Sequence, residues 1–476
     1  MKVLITMALA ACASTARDVA VSHASLSRTS VSAAEFGARG DDESPDQGAI
    51  QAALDACAAQ GCAEVTIPNG RYVMASPWSS GWSIRIPPGI RLRGETRDGV
   101  TLVQAAGTAP SHRVIYASAR SAIESLTIDG NRAAQYDQDE HRAGIFAQAS
   151  PDLELRHVTV RAFTGDGIYI YTGSDGARID DVLVSGNGRN GITFGGGTRD
   201  TSVTSSQFLG NGAQQLDSEP GAGLTVDGMT IDGCVFDGMG ISNDAAVTVS
   251  GSTTTTSHDW HIRNNTINGA VFVVWASRVE IADNVGINHT TKPSVDIERS
   301  SSRITVARNS FAMDQTAVEG VAVVGIYGMG TDAAPARVRI AGNDLAISGR
   351  AKVFGVRVDG AISVAIEDNT ITGPSLTAPN YSSGVYLRAT NPDQDFESAI
   401  VRRNRISNFG WAGIAVWGRA GTAARLRSVV IEDNELDDDS MTTEIGIVTD
   451  DGTGAVVSLV MGGNVTLGDI RTAHHP

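Results

Sequence analysis

The sequence predicts an all-β solenoid in which short strands wind into a single-stranded parallel β-helix. Two recurring motifs after residue 120 lead to this prediction. The first is an alternating apolar run that ends in an asparagine turn, as in Ile304-Thr-Val-Ala-Arg-Asn-Ser-Phe311 and Val364-Ala-Ile-Glu-Asp-Asn-Thr-Ile371. Repeats of a few tens of residues are typical of stacked supersecondary units. Such a stack offers a long, linear surface.

The second motif is a glycine-led strand between the asparagine turns. Its first apolar residues, Ile145, Ile168, Ile192 and Leu216, are 23, 24 and 24 residues apart. The segments alternate with period two and are rich in Thr, Val and Ile, which favours strands over helices. A spacing near 24 with two or three strands fits one coil of a β-helix, and longer spacings further on indicate loop insertions. We expect the asparagines to adopt left-handed turn conformations and to stack into a ladder.

The first residues resemble an export signal. Met1-Lys2 precedes a short apolar segment and Leu9-Ala-Ala-Cys12, which resembles a bacterial lipobox, so Cys12 is the predicted lipidation site. An ordinary cleaved signal peptide is the alternative. We expect an exported bacterial protein, either an outer-membrane lipoprotein or a periplasmic or secreted monomer. The predicted divisions are a leader and tether (1–33), an N-terminal cap with the first coils (34–110) and the main β-helix (111–470).

Composition excludes two classes of partner. The net charge of −16 argues against nucleic acid, because phosphate binding needs a basic face. The chain has no run of 18 apolar residues, which argues against a membrane span and leaves a lipid anchor as the expected form of attachment.

An amphipathic helix with two nearby cysteines is predicted before the coils. Ser44-Pro-Asp-Gln47 has the pattern of a capping box with proline at the first helical position. Ile50 and Leu54 would share one face of this helix, which we expect to cover the open strand edge of the first coil. Cys57 and Cys62 are five residues apart, and a local disulfide is expected in an exported protein. Two buried thiols are the alternative.

Three segments around this helix carry a family resemblance. They are Glu35-Phe-Gly-Ala-Arg-Gly-Asp-Asp42, Ala63-Glu-Val-Thr-Ile-Pro-Asn-Gly-Arg-Tyr-Val73 and Ile84-Arg-Ile-Pro-Pro-Gly-Ile-Arg-Leu-Arg-Gly94. They resemble the opening of the pectate-lyase-like superfamily, which includes polygalacturonases, polysaccharide lyases, alginate C5-epimerases and phage tailspikes. With the coils behind them, the resemblance covers about residues 35–470 and implies a right-handed parallel β-helix. It implies no single reaction, because one fold hosts several.

The outward positions of the glycine-led strands predict a sugar-binding groove. The residue after each reference apolar position points outward, and so does the one two further on. Aromatic rings and carboxyl groups collect in this column, whereas the alternative is an ordinary solvated sheet. We expect the register to be firm to about residue 220. Later outward pairs are Arg357 with Asp359 and Tyr386 with Arg388. The predicted substrate-binding residues in or beside the column are His141, Arg142, Tyr169, Tyr171, Asp244, Trp275, Asp296 and Glu298.

Asp217 and Glu219 are the predicted catalytic pair. They stand at i and i+2 of one strand, ~7 Å apart, which lies within the range of the acid and base of inverting glycosidases. Mutual repulsion would raise one pKa and keep the other low. The similar pair Asp296 and Glu298 lies about three coils away, or ~14 Å, so the two pairs would not form one site.

Asp166 and Arg189 are predicted to assist from the turns that lead into neighbouring strands. Asp166 lies in Thr164-Gly-Asp-Gly167, which resembles the place of the paired aspartates of polygalacturonases, but the second aspartate is missing. Arg189-Asn-Gly191 stands where those enzymes carry Gly-His-Gly. These departures argue against a true polygalacturonase.

Three functions follow as hypotheses. The leading one is an exported enzyme that cleaves a polysaccharide by acid–base hydrolysis. The second is a lyase or C5-epimerase acting on a uronic-acid polymer, which needs a base and a cation to neutralise the sugar carboxylate. Arg142, Arg189 or Arg357, or a Ca²⁺ ion held by acidic residues, could supply that cation, and no cofactor is otherwise expected. The third is a surface lipoprotein that binds glycan without changing it.

Overall fold

A computed structural model describes residues 29–41, 43–75, 81–238, 245–289, 291–314, 320–328, 332–349, 352–374, 382–389, 395–418, 425–437, 445–449, 456–466 and 469–472. In these residues, parallel strands stack into a solenoid with three faces, as predicted. Each coil adds one strand to each face. Within the described residues, no helix is long and apolar enough to cross a membrane.

Within the described residues, face 1 is a single ladder of fifteen parallel strands. Its strands are Trp82–Ile86, Arg113–Ala117, Ala143–Gln148, Ile168–Tyr171, Ile192–Gly196, Leu216–Pro220, Ala245–Ser250, Ala270–Val274, Val295–Glu298, Val321–Tyr327, Val353–Asp359, Ser383–Ala389, Ala412–Gly418, Ile445–Thr449 and Asp469–Thr472. The pairing of Trp82–Ile86 with Arg113–Ala117 carries this ladder across residue 110 without a break.

Faces 2 and 3 complete each coil. Face 2 contains Ser30–Ser32, Glu64–Ile67, Arg91–Gly94, Arg178–Asp180, Ser202–Thr204, Met229–Asp232, Ser257–Arg263, Ala276–Ala282, Ser302–Ala307, Ala336–Ala341, Ser363–Glu367, Ser398–Arg402, Val429–Glu432 and Leu459–Gly462. Face 3 contains Gly70–Met74, Val100–Gln104, Leu183–Ser185, Gln207–Leu209, Val235–Asp237, Thr266–Asn268, Val285–Asn288, Ser310–Asp314, Asp344–Ser348, Thr370–Thr372, Arg405–Ser407, Glu435–Asp437 and Val465–Thr466. The long strands Ala122–Asp129 and Glu154–Arg161 run through both faces.

The core is the inside of the solenoid. The reference residues Ile145, Ile168, Ile192 and Leu216 are direct register partners and are fully buried. Apolar side chains from faces 2 and 3 meet them, so each coil buries its inner residues against the coils above and below. This packing fixes the register, because a slip of one residue would turn every apolar side chain outward.

An asparagine ladder runs along the corner between faces 2 and 3, as predicted. The side-chain amide of Asn309 donates to Asn343 Oδ1 at 3.0 Å, and that of Asn343 donates to Asn369 Oδ1 at 2.9 Å. The predicted left-handed conformation of these asparagines is wrong. The residue before each one takes it instead, as at Arg308 (φ 55°) and Asp368 (φ 57°). The asparagine points inward because its amide must bond the coils on either side.

The helix Gln47–Gln60 covers the start of the solenoid. Its Gln51 accepts from the Arg85 backbone N–H at 2.7 Å and donates to the Arg85 carbonyl at 3.1 Å, which satisfies the open edge of face 1. Ile50, Leu54 and Cys57 are buried, as expected, and a disulfide joins Cys57 to Cys62.

The predicted capping box is wrong. The N-cap residue is Asp46, and its Oδ1 accepts from the backbone N–H of Arg39 at 2.9 Å instead of capping the helix. Pro45 precedes the helix and bridges to Val73. Two short 3-10 helices, Ala33–Phe36 and Arg132–Ala134, complete the helical content of the described residues.

Candidate active site

The outer side of face 1 carries the predicted column of residues, and its register holds beyond residue 220. Val247, Val271, Val295, Val324 and Val356 follow Leu216 as register partners. The outward positions therefore contain, in order along the solenoid, Tyr116, Phe146, Tyr169, Thr193, Asp217, Thr248, Phe272, Asp296, Gly325, Arg357 and Tyr386.

A row of aromatic rings occupies the N-terminal part of this column. Trp82 and Tyr116 have ring centroids 4.9 Å apart, and the next pairs along the row, to Phe146 and Tyr169, are 5.7 and 5.8 Å apart. Tyr171 continues the row 5.6 Å from Tyr169. The guanidinium groups of Arg85 and Arg113 lie over two of the rings. The row ends beside the predicted catalytic carboxyl groups.

All four predicted catalytic residues meet at this end of the row. Arg189 donates from Nη1 to Asp166 Oδ2 at 2.9 Å and from Nη2 to Glu219. Its Nε lies 3.7 Å from an oxygen of Glu140, an acidic residue on the loop before Ala143–Gln148. One guanidinium therefore contacts three carboxyl groups.

Asn190 and Thr193 connect Asp166 to Asp217. Asn190 Nδ2 donates to Thr193 Oγ1 at 3.0 Å and to Asp217 Oδ2 at 3.2 Å, and Thr193 Oγ1 donates to Asp166 Oδ2 at 3.0 Å. The backbone N–H of Asn190 also donates to Asp166 Oδ1 at 3.0 Å. Both oxygens of Asp166 are thus occupied, and this residue acts as a support that holds Arg189 and the turn in place.

The carboxyl groups differ in proton affinity. Burial, and next the repulsion of Glu219, raise the pKa of Asp217 well above its usual range, although Arg189 opposes them. Burial raises the pKa of Asp166 to about 6 against the attraction of Arg189. Burial opposes the charge of Arg189, but Asp166 and Glu219 outweigh it and raise the pKa of the guanidinium. Asp217 therefore holds its proton more tightly than an ordinary aspartate does.

The predicted ~7 Å separation of the Asp217 and Glu219 carboxyl groups stays a prediction. A hydrogen bond to Glu219 is among the smaller causes that raise the pKa of Asp217. The spacing of Cα atoms along a strand does not fix where flexible side chains end, and Arg189 draws Glu219 into the cluster. The structure therefore gives no carboxyl spacing from which to assign an inverting reaction.

Tyr169 and Tyr171 line the same site. Their rings lie over Gly195, the register neighbour of Glu219, where an added Cβ would be 2.7 Å from Tyr169 Cε2 and 2.8 Å from Tyr171 Cδ2. Burial and the nearby carboxyl groups of Glu219 and Asp166 raise the pKa of Tyr169 to about 12. This phenol keeps its proton and can donate a hydrogen bond.

Arg142 and His141 lie apart from the reacting groups. The structure contradicts a substrate clamp at Arg142, because its guanidinium is buried and donates to the carbonyls of Thr108 (2.7 Å) and Ala109 (3.2 Å) and to Asp137. It holds the loop that packs over it. His141 is exposed, and its Nε2 lies 3.7 Å from Glu140 Oε1 at the rim of the site.

The other predicted binding residues lie further along face 1. Asp296 and Glu298 project outward three strands beyond Asp217, as expected. Trp275 is one position off: Val274 is the register partner of Glu298, and Trp275 turns away with φ 48° and packs against the Arg299 guanidinium 4.6 Å from its ring centroid. Asp244 lies outside the described residues.

Three residues of the site were not predicted from the sequence to be functional. Glu140 lies on a loop without periodicity, so nothing in the sequence indicated its approach to Arg189. Asn190 lies beside Arg189 on the same turn, and Thr193 stands in the outward column, so both could have been found from position alone. Within the described part of the chain, no three His, Cys, Asp or Glu side chains come close enough to hold a metal ion.

Comparison with known proteins agrees with the fold. Residues 30–240 match the family model described as rhamnogalacturonase A/epimerase, pectate lyase-like. A segment of 183 residues is 28% identical to the mannuronan C5-epimerase AlgE6 of Azotobacter vinelandii and covers 36% of this chain and 21% of that protein. The match thus spans about a fifth of the epimerase.

Two solved structures align with most of this chain at low identity. The A-module of the A. vinelandii mannuronan C-5 epimerase AlgE4 aligns over 93% of this chain and 100% of its own, with 18% identity and a TM-score of 0.40. The tailspike protein of the E. coli bacteriophage HK620 aligns over 91% of this chain and 78% of its own, with 12% identity and a TM-score of 0.50. Residues 30–240 therefore match a pectate lyase-like family model, as the opening motifs predicted, and the coils that follow extend the same three faces.

Proposed function

We propose that this protein is an exported carbohydrate-active enzyme that hydrolyses a polysaccharide lying along face 1. The observation that carries the proposal is the carboxyl pair Asp217 and Glu219 at the end of a row of five aromatic rings. Sugar rings have apolar faces that pack on aromatic rings, so the row would hold a glycan with one linkage beside the pair.

Asp217 is the proposed general acid. Its buried, protonated carboxyl would give a proton to the oxygen of the glycosidic bond as that bond breaks. Glu219, held by Arg189, would stabilise the positive charge that develops on the sugar or activate the attacking water. Arg189, Asp166 and Asn190 position these two groups, and Tyr169 donates to a sugar hydroxyl.

The charge of the site favours a neutral substrate over a uronic-acid polymer. Glu140, Asp166 and Glu219 surround Arg189, so its charge is already balanced and is not free to neutralise a sugar carboxylate. The net charge of −16 would further repel a polyanion.

Epimerisation or lysis of a uronic-acid polymer is the second candidate. The similarity of one segment to a mannuronan C5-epimerase favours it. Both reactions begin with removal of the proton on C5. The raised pKa of Tyr169 makes the phenolate that this step needs scarce at neutral pH unless a cation stabilises it.

One set of incubations separates these functions. The purified protein is mixed with neutral and acidic polysaccharides in D₂O, with and without a chelator. New reducing ends without ultraviolet-absorbing products support hydrolysis, unsaturated ends indicate a lyase, and deuterium at C5 without cleavage indicates an epimerase. Binding with none of these changes indicates a non-catalytic glycan-binding protein and contradicts the proposal.

Export and lipidation at Cys12 are part of the proposal. The disulfide between Cys57 and Cys62 supports an oxidising compartment. Cells that express the full chain and its Cys12→Ala variant are labelled with a fatty acid and fractionated. Label that depends on Cys12 supports a lipoprotein, and unlabelled protein outside the cytoplasm supports a cleaved signal peptide. Retention of both chains in the cytoplasm contradicts export.

A further inference from the structure

A second carboxyl cluster lies on face 1, three strands beyond Asp217. Tyr327 is the register neighbour of Glu298, and Gly325 is the neighbour of Asp296. The Tyr327 ring lies over Gly325, where an added Cβ would be 2.4 Å from Cε2 and 2.6 Å from Oη. On the other side, Phe272 is the register neighbour of Asp296. The Asp296 carboxyl thus lies between strands that each contribute an aromatic ring.

One carboxyl oxygen of Asp296 can accept a hydrogen bond from a ligand. Its side chain is 2% exposed, and its Oδ1 is buried and accepts no hydrogen bond from the described residues. Buried polar atoms in folded proteins are nearly always bonded. The hydroxyl of Thr248, two strands earlier in the same column, is also buried without a partner there. Asp296 Oδ1 and the Thr248 hydroxyl thus lie on one face, where a bound molecule would supply their hydrogen-bond partners.

The cations near this cluster are held elsewhere. Arg357 binds Asp359 and the carbonyl of Gly320, and Arg299 binds Asp332 at 2.7 Å. Burial, and next Glu298, raise the pKa of Asp296 to about 7, and only Lys292 opposes them. Lys292 and Arg299 attract Glu298 electrostatically, but among the described residues no guanidinium forms an ion pair with either carboxyl group, as Arg189 does with Glu219 at the first site.

We propose that Asp296, Glu298 and Tyr327 form a second binding site, which takes a sugar unit bearing a protonated amine. An ammonium group supplies three N–H donors, including one for Asp296 Oδ1. It brings a positive charge into direct contact with the carboxyl pair, and aromatic rings attract it further. At the usual strand spacing the site lies ~14 Å from Asp217, so a glycan of several units along face 1 reaches both.

Binding should release protons near neutral pH. A cation beside Asp296 favours its ionised form, so a carboxyl that is partly protonated in the free protein loses its proton on binding. The charged and titratable groups around it are Glu298 on its own strand, Lys292 on the preceding turn, and Tyr327, Arg357 and Asp359 on the next two strands.

Calorimetry with a glucosamine hexasaccharide tests the site. The full chain carries Glu219→Gln to prevent turnover, and the N-acetylated hexasaccharide is the matched neutral ligand. We expect the amine-bearing ligand to bind with proton release at pH 7, seen as an enthalpy that depends on the buffer. Asp296→Asn should weaken this binding about tenfold or more, because a hydrogen bond to a charged group is lost. Tyr327→Phe should weaken it less.

Asp283→Asn is the control, because it removes an equal charge on an exposed corner where Asp283 pairs with Arg308. Equal affinity for the two hexasaccharides, or affinity unchanged by Asp296→Asn, overturns the proposal, as does an absence of binding. Since only binding is measured, these outcomes do not depend on whether the first site hydrolyses glycan. Unfolding of each variant is followed in parallel, and Tyr327→Phe remains a test if Asp296→Asn does not fold.

Discussion

The two Asp-x-Glu pairs on face 1 have the same strand motif and opposite electrostatic settings. At Asp217 and Glu219, a guanidinium from the turn one coil earlier contacts Glu219 and balances the charge. At Asp296 and Glu298, no guanidinium of the described residues does so, and Asp296 Oδ1 has no partner. Arg189 stands three residues before Ile192, whereas the matching position before Val271 is Asn268. The residue at this turn position therefore distinguishes the two pairs: Arg189 pairs with Glu219 at the first site, and Asn268 carries no charge at the matching position of the second.

Both pairs also share a tyrosine placed over glycine. At the first site Tyr169 and Tyr171 come from an earlier coil and cover Gly195, and at the second site Tyr327 comes from the next coil and covers Gly325. In each case the missing Cβ makes room for a ring beside a carboxyl group. The strand supplies the carboxyl pair, while the side chains of neighbouring strands and turns decide what the pair can do.

The largest expected effect is on the reaction at the first site. Glu219→Gln and Asp217→Asn should each lower kcat by about 10³-fold, because the loss of an acid or base costs 10²–10⁴-fold. The matched Glu298→Gln should instead raise KM for long substrates. Steady-state kinetics on a cleavable glycan checks this split. A large fall in kcat from Glu298→Gln with normal turnover by Glu219→Gln would reverse the two roles.

Removal of the guanidinium should have the next largest effect. Arg189→Met leaves Asp166, only 2% exposed, without its cation, and breaking such a buried pair costs about 3–5 kcal/mol of unfolding free energy. Asp166→Asn in the same chain should restore part of the loss, since the uncompensated charge disappears. Urea unfolding of both single variants and the double variant measures this coupling. Additive losses would show that Arg189 and Asp166 act separately.

The pH dependence of stability should distinguish the second site from ordinary surface carboxyls. The folded pKa of Asp296, about 7, exceeds the unfolded value near 4, so the folded protein binds more protons between these values. Its contribution to stability therefore falls as pH rises from about 4 to 7. Asp296→Asn removes this fall and should stabilise the protein at pH 8 by a few kcal/mol, since each pKa unit is ~1.4 kcal/mol.

Asp283→Asn is the matched control for that measurement. The hydrogen bond from Arg308 lowers the pKa of Asp283, so its contribution has the opposite sign and is present above the unfolded pKa. Urea unfolding at pH 4, 6 and 8 compares the two variants. If Asp296→Asn follows the wild type at every pH, the carboxyl is not held in the environment described.

The smallest expected effect concerns the aromatic row, which the second site lacks. Tyr116→Ala should raise KM for long glycans about three- to tenfold with little change in kcat, since one aromatic contact contributes ~1 kcal/mol. Tyr116→Phe is the control and should bind nearly as well as the wild type. Inhibition or kinetics with short and long oligosaccharides measures the difference, and an equal effect on the shortest substrate would place the glycan elsewhere.

Sequence reasoning reached the fold and the register of face 1 because the inner residues repeat. A slip of one residue would expose Val295 and bury Glu298, so the pattern placed Asp296 and Glu298 on the outer side of face 1, although it misplaced Trp275 by one position. The predictions failed where side chains from different coils and loops meet. The contact of Arg189 with Glu219 and the burial of Arg142 depend on torsions and on loop packing that periodicity does not record.

The sequence by itself determined the stack of coils, the asparagine ladder, the helix that covers the first edge, and which residues of face 1 point outward. Short-range repetition encodes these features, because each coil packs on a near copy of itself. Only the tertiary structure decided that Arg189 lies among Asp166, Glu219 and Glu140 and that Asp296 Oδ1 has no partner among the described residues. Those contacts join residues from different coils and loops, and they depend on side-chain reach and burial.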